Sequence, residues 1–218
     1  MQFQYFIPTR ILFGKGELSN LHKQQLPGKK ALIVTSAGNS VKKYGYLSRL
    51  EEQLELAGVS HVLFDKILPN PIKEHVMEGA ALARENGCDF VIGLGGGSSI
   101  DSAKAVAVMA ANDGDYWDYI SGGSGKGKEL LGKPLPIVAI TTTAGTGTEA
   151  DPFAVVRPPA WSGNHFVQLS RRRATSSATT MPLTPACIRP RVMPAPSPAA
   201  NRPLMAVSIW LSTSTLLE

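Results

Sequence analysis

Short apolar runs and longer amphipathic stretches take turns along residues 1–156. Lys30 to Thr35 reads KALIVT, a β-branched run between Gly28 and Gly38 that predicts a buried strand. Val41 to Leu56 then sets Tyr46, Leu47, Leu50, Leu54 and Leu56 along one helical face. His61 to Phe64 predicts a second strand, and Pro71 to Glu85 a helix opened by proline and closed at Gly87. Asp89 to Leu94 predicts a third strand, Ser98 to Ala111 an alanine-rich helix, and Pro136 to Thr141 a fourth strand. Phe3 to Phe13 adds an edge strand or hairpin. Strands that are apolar throughout, joined by amphipathic helices, fit a parallel sheet covered on both faces. The expected fold class is α/β, and no internal repeat interrupts it.

The alternation stops near Arg157. Nine of the chain's 16 prolines fall in the last 62 residues, with Arg171-Arg172-Arg173 and a Ser/Thr/Ala stretch from Ala174 to Thr180. Such a segment buries too little to offset its conformational entropy. The chain therefore divides into an α/β domain over 1–156 and an irregular, disordered tail over 157–218. A pattern returns only in a short run near Leu204 to Leu211.

Charge follows the same division. Residues 1–156 carry 15 basic and 16 acidic side chains, whereas the tail carries seven arginines and Glu218. The net charge of +5 thus belongs to the tail, and the domain has no nucleic-acid footprint. Cys88 and Cys187 lie far apart without a CxxC pair, which excludes a disulfide framework and a cysteine zinc site and fits a reducing cytoplasm. No apolar run reaches the ~18 residues of a membrane helix. The opening MQFQYFIPTR lacks the basic start and apolar core of a signal peptide. A cytoplasmic protein without a membrane partner is expected.

Candidate chemistry sits in three loops at strand ends. Gly95-Gly96-Gly97-Ser98 joins the third strand to the alanine-rich helix. Glycines let the backbone approach a ligand, free N–H groups at the helix start favour an anion, and Ser98 is placed to cap the helix. Thr141 to Glu149, TTTAGTGTE, follows the fourth strand with hydroxyls for a phosphate or ribose, and Ser36-Ala37-Gly38-Asn39-Ser40 follows the first. The plainer reading of each is a capped turn whose hydroxyls serve local backbone. Their common position at the carboxyl ends of parallel strands favours a dinucleotide. The GxGxxG fingerprint of ordinary Rossmann domains is absent.

These stretches resemble the iron-containing, group III alcohol dehydrogenases, in the branch of butanol dehydrogenases and NADPH-dependent aldehyde reductases. The resemblance rests on Pro8 to Gly16, Pro69-Asn70-Pro71, Gly95 to Lys104 and Pro136 to Asp151, and it covers residues 3 to 156. It implies a dehydroquinate synthase-like dinucleotide domain followed by a helical metal domain, in members that are often homo-oligomers. By resemblance Gly96, Gly97 and Ser98 would hold the cofactor pyrophosphate. Asn70, Asp101, Thr142, Thr143 and Thr146 would line the nicotinamide region. Ser36, Gly38, Asn39 and Ser40 would meet the adenosine ribose. With Lys42 and Lys43 just beyond and no carboxylate in that loop, NADP(H) is favoured over NAD(H). The remaining possibility is that both lysines are solvated helix residues.

The resemblance also implies Fe2+ or another divalent ion, held by one Asp and three His and polarising the oxygen of a small alcohol or aldehyde. Beyond Val156 the chain offers only His165, and His22, His61 and His75 read as surface or packing residues. No catalytic or metal residues are expected in this chain, and the helical domain is expected to be missing from it. So abrupt a change suggests a frameshift, the alternative being a natural disordered tail. Read one base out of frame, the codons of Met205 to Thr213 can spell GGFDLAFH, which places an Asp and a His at i, i+4 as a shared ion needs. The expected function is an oxidoreductase by family, present as a truncated cofactor half without turnover. The competing readings are a non-catalytic dinucleotide-binding or regulatory module, and a sister branch such as dehydroquinate synthase or glycerol dehydrogenase.

Overall fold

Continuous burial on both sides is what turns the apolar runs into strands. The computed structural model describes residues 9–120, 125–157, 165–168 and 205–210, the last two segments by backbone alone. In chain order the elements are β1 (Thr9–Gly14), β2 (Lys30–Ser36), α1 (Ser40–Lys43), α2 (Tyr46–Leu56), β3 (Ser60–Ile67), α3 (Lys73–Glu85), β4 (Phe90–Gly95) and α4 (Gly97–Ala110). They continue with β5 (Ile137–Thr141), β6 (Phe153–Val156), β7 (His165–Gln168) and β8 (Met205–Trp210). Short 3-10 turns span Glu17–Lys23 and Tyr116–Tyr119.

Six strands form one sheet in the order β1-β8-β5-β4-β2-β3. The four predicted strands make its parallel part, β3-β2-β4-β5. β8 runs antiparallel to both β5 and β1, and β1 is the edge strand expected from the opening stretch. Strands β6 and β7 pair separately as an antiparallel ribbon. From β2 the chain crosses to β3 on one side and then to β4 and β5 on the other. The direction of winding therefore reverses between β2 and β4, the crevice where open α/β sheets take ligands.

Each face of the sheet has its own core. Leu32, Val34 and Val91 meet α3 and α4, with Val76, Ala80, Val106 and Met109 among the buried residues. Ala31, Ile33, Ile92 and Val138 meet α2, through Leu47, Leu50 and Leu54. Fully burying each large aliphatic side chain contributes roughly 1.5–3 kcal/mol. Small residues bring α4 close to its neighbours. A Cβ on Gly93 would stand 2.9 Å from Ala103 Cβ, and one on Gly79 would stand 2.9 Å from Val106 Cγ2. This fit explains why α4 is buried from Ser99 to Met109.

Three details differ from expectation. The helix predicted over Val41 to Leu56 is broken at Gly45, whose φ of 69° lies in the left-handed region, and Leu56 at its far end is exposed. Helix α4 begins one residue early, with Gly96 as its N-cap and no side-chain capping bond, so Ser98 lies within the first turn and does not cap it. The tail is not irregular throughout. β8 forms on the run near Leu204 to Leu211, and its pairing on both sides supplies backbone hydrogen bonds that composition alone does not reveal. The arginine triplet, the Ser/Thr/Ala stretch and Cys187 lie outside the described residues. Among the described residues no helix is long and apolar enough to cross a membrane.

Candidate functional site

A pocket of about 810 Å³ opens beside the start of α4. It gathers Asn70, Gly97, Ser98, Asp101 and Thr146 of the predicted residues, and adds Phe153 and Val155 of β6 as an apolar wall. Asn70 turns the chain from β3 into α3 with φ 58°, a left-handed conformation that asparagine tolerates better than most residues. Backbone bonds close the far rim, where Arg157 N–H donates to Pro71 O at 2.7 Å.

The glycine turn between β4 and α4 is built for close approach. Gly95 has φ 141°, and a Cβ there would lie 2.7 Å from Ser99 Oγ. Gly96 and Gly97 face the threonine loop, where an added Cβ would sit 3.3 Å from Thr143 Oγ1 and 3.4 Å from Thr146 Cγ2. Thr142 N–H donates to Gly95 O at 2.9 Å, which fastens the two loops together. Uncapped N–H groups at the start of a 14-residue helix leave a ready anion site at this rim.

Predicted residues outside the pocket fall into two groups. Gly96, Thr142 and Thr143 adjoin its mouth through the contacts just given. Ser36, Gly38, Asn39 and Ser40 form the exposed mouth of β2 across the crevice, where Ala37 N–H donates to Ile67 O at 2.9 Å. The loop itself carries no carboxylate, but one of the two lysines beyond it is paired. Asp65 of β3 pairs with Lys42 at 2.6 Å, and that bond holds its carboxyl below the usual 3.8. Asp65 lies 23 positions from Lys42, so a reading confined to the loop misses it.

Beneath the pocket lies a buried polar network whose geometry the sequence did not reveal. Lys104, only 1% exposed, donates from Nζ to Thr148 Oγ1 at 2.6 Å, Phe153 O at 2.6 Å and Asp151 Oδ1 at 3.2 Å. Thr148 passes its own hydroxyl hydrogen to Asp101 Oδ1, and Asp101 Oδ2 accepts from Val155 N–H at 3.1 Å. Burial pushes the Asp101 carboxyl up and the Lys104 ammonium down. The signal available in sequence was a lysine three residues after an aspartate within an otherwise uncharged helix. A buried lysine of that kind needs partners.

Among the described residues the donors for a metal ion do not come together. His22 Nδ1 lies 2.6 Å from Gln53 Oε1, His61 Nε2 lies 3.6 Å from Glu51, and His75 sits on α3. Among the described residues no group of three or more His, Cys, Asp or Glu could hold an ion, and the side chain of His165 lies outside them.

Comparison with known proteins gives a consistent set of relatives. The family pattern described as iron-containing alcohol dehydrogenase matches residues 8–174, continuing past Val156 through β7. NADH-dependent butanol dehydrogenase B of Clostridium acetobutylicum is 38% identical over 157 residues, covering 72% of this chain and 39% of that protein. A 1,3-propanediol dehydrogenase of Klebsiella pneumoniae is 37% identical, covering 71% of this chain and 39% of its own length. Among solved structures, NADH-dependent butanol dehydrogenase A of Thermotoga maritima superposes with a TM-score of 0.69 at 32% identity, covering 77% of this chain and 41% of that one. Sulfoacetaldehyde reductase of Bifidobacterium kashiwanohense, solved with NAD+, gives a TM-score of 0.67 at 31% identity, covering 77% and 43%. The chain thus spans about two-fifths of the length of the relatives it matches.

Proposed function

Because the chain belongs to the iron-containing alcohol dehydrogenase family, we propose that its crevice takes a nicotinamide dinucleotide and that these 218 residues do not oxidise an alcohol on their own. The observation that carries this reading is the glycine turn of β4 and α4 at the reversal of the sheet, opening directly onto the pocket. The pyrophosphate rests on the N–H groups of Gly96, Gly97 and Ser98, where the helix dipole favours negative charge. The adenosine end reaches the β2 loop from Ser36 to Ser40. The nicotinamide end enters the pocket between Asn70, Asp101 and Thr146, with Thr142 and Thr143 at its mouth.

Two observations bear on the choice of cofactor. Lys42 is occupied by Asp65, which takes one of two cations out of the argument for NADP(H) and sets a negative charge near the loop. The relatives include proteins named NADH-dependent butanol dehydrogenase and NAD-dependent methanol dehydrogenase. We therefore favour NAD(H) over the NADP(H) expected from the loop alone.

In the family's alcohol dehydrogenases the dinucleotide exchanges hydride with an alcohol or aldehyde, and an iron ion would polarise the substrate oxygen. The described residues of this chain do not fit such an ion. What the chain supplies is binding and orientation of the dinucleotide. Titration with NADH and NADPH, followed by nicotinamide fluorescence, tests this. Saturable binding with NADH preferred, and no alcohol-dependent reduction of NAD+ with or without Fe2+, is the expected result. Absence of binding to either cofactor overturns it.

A further inference from the structure

Lys104 makes three hydrogen bonds, all to one stretch of chain, Thr148 to Phe153. Lys104 itself is not among the pocket's lining residues. Its acceptors do line the pocket. Thr148, Asp151 and Phe153 form one wall, and Asp101 is joined to Lys104 through the Thr148 hydroxyl. Asp151 also accepts from Phe153 N–H at 2.8 Å, closing a tight turn at the point where the threonine loop enters β6. The same stretch is also held by Ala150 N–H donating to Gly147 O at 2.9 Å and by Thr9 Oγ1 donating to Ala150 O at 3.2 Å, but these bonds lie away from the pocket wall that Lys104 holds. Gly145 and Gly147 both have positive φ with open space around them, and residues 143 to 147 are exposed.

We propose that Lys104 is a positioning residue which fixes the nicotinamide-end wall of the pocket by holding Thr148, Asp151 and the Phe153 carbonyl, without itself touching the cofactor. The proposal rests on the dinucleotide reading of the pocket. A buried ammonium gives up its hydration only where several acceptors replace it, and the three acceptors here are fixed in number and direction. The loop therefore has one arrangement in which Lys104 is satisfied. Burial drives the lysine toward its neutral form and Asp151 and Asp101 oppose that drift, so the carboxylates are part of the anchor.

The consequence is polar along the cofactor. The pyrophosphate and adenosine contacts come from the glycine turn and the β2 loop, which Lys104 does not hold. Calorimetric titration of the wild-type chain, Lys104→Met and Asp151→Asn with NADH and with ADP-ribose separates the two ends. ADP-ribose carries the pyrophosphate and adenosine but no nicotinamide. For Lys104→Met we expect NADH affinity to fall at least tenfold while ADP-ribose affinity stays within threefold of wild type. Asp151 is 43% exposed and an amide oxygen there can still accept from Lys104, so Asp151→Asn is the milder change and should lower the ratio of NADH to ADP-ribose affinity severalfold. It carries the test if Lys104→Met does not fold. An equal loss of both ligands in Lys104→Met, or an unchanged ratio in Asp151→Asn, overturns the positioning role. A wild-type chain that binds neither ligand overturns the dinucleotide reading as well.

Discussion

Gly95 and Asp65 show how much single residues decide at this crevice. Gly95 is held at φ 141° with Ser99 Oγ 2.7 Å from where a Cβ would stand, so a side chain there meets both strain and a clash. Gly95→Ala should destabilise the domain by roughly 1–3 kcal/mol. Chemical denaturation measures this, and an unchanged midpoint would contradict the strained turn. Asp65 acts through charge. Its carboxyl is held below 3.8 by Lys42, so the folded state binds that proton less tightly than the unfolded chain. The pair's contribution is then complete above the usual carboxylate range and fades as pH falls below it. Both partners are about half exposed, so the effect is small. Asp65→Asn should raise NADPH affinity relative to NADH by up to about fivefold, about 1 kcal/mol of surface charge interaction. An unchanged ratio would show that Asp65 takes no part in the choice.

At the scale of elements, legibility followed burial. β2, β4 and β5 stood out because both faces are buried, which leaves unbroken apolar runs such as KALIVT. Helix α3 was legible from its punctuation, with Pro71 before it and Gly87 after. The break at Gly45 was hidden because apolar residues on either side keep a common face across it. The Lys42–Asp65 pair and the Lys104 network were hidden for another reason. Both join positions far apart in sequence, up to 49 residues for Lys104 and Phe153, and no local period reports such contacts. The candidate loops were visible as glycine- and threonine-rich stretches, yet only the fold reveals that Asn70, Ser98, Asp101 and Thr146 share one pocket.

β8 is the element with the most unusual role, since a strand from the tail fills the space between β5 and β1. Its residue Ser208 stands in register with Ala139 on one side and Ile11 on the other. A proline there cannot donate to a ladder. Ser208→Pro should therefore lower the denaturation midpoint and expose the β5 edge to association, which light scattering would detect. A variant as stable and monodisperse as wild type would show that β8 contributes nothing to the sheet.

For the molecule as a whole, the decisive relation is between the reversal of the sheet and the pocket beside it. Two apolar cores make β2 and β4 rigid, and their carboxyl ends deliver the exposed loop at Ser36–Ser40 and the glycine turn to the same crevice. The family supplies the dinucleotide reading, and the chain spans only about two-fifths of its relatives. Binding is accordingly the property to test. Gly97 offers the sharpest probe, because its added Cβ would meet only ordinary contacts and the fold should tolerate a substitution there. A valine at that position sets branched carbons between the glycine turn and Thr146, narrowing the mouth proposed to take the pyrophosphate, while leaving the two cores untouched. The measurement is calorimetric titration of NADH into the wild-type chain and into Gly97→Val. The account predicts one NADH bound per wild-type chain and at least a tenfold loss of affinity in the variant. Equal affinity in both, or no binding to the wild type, would contradict it.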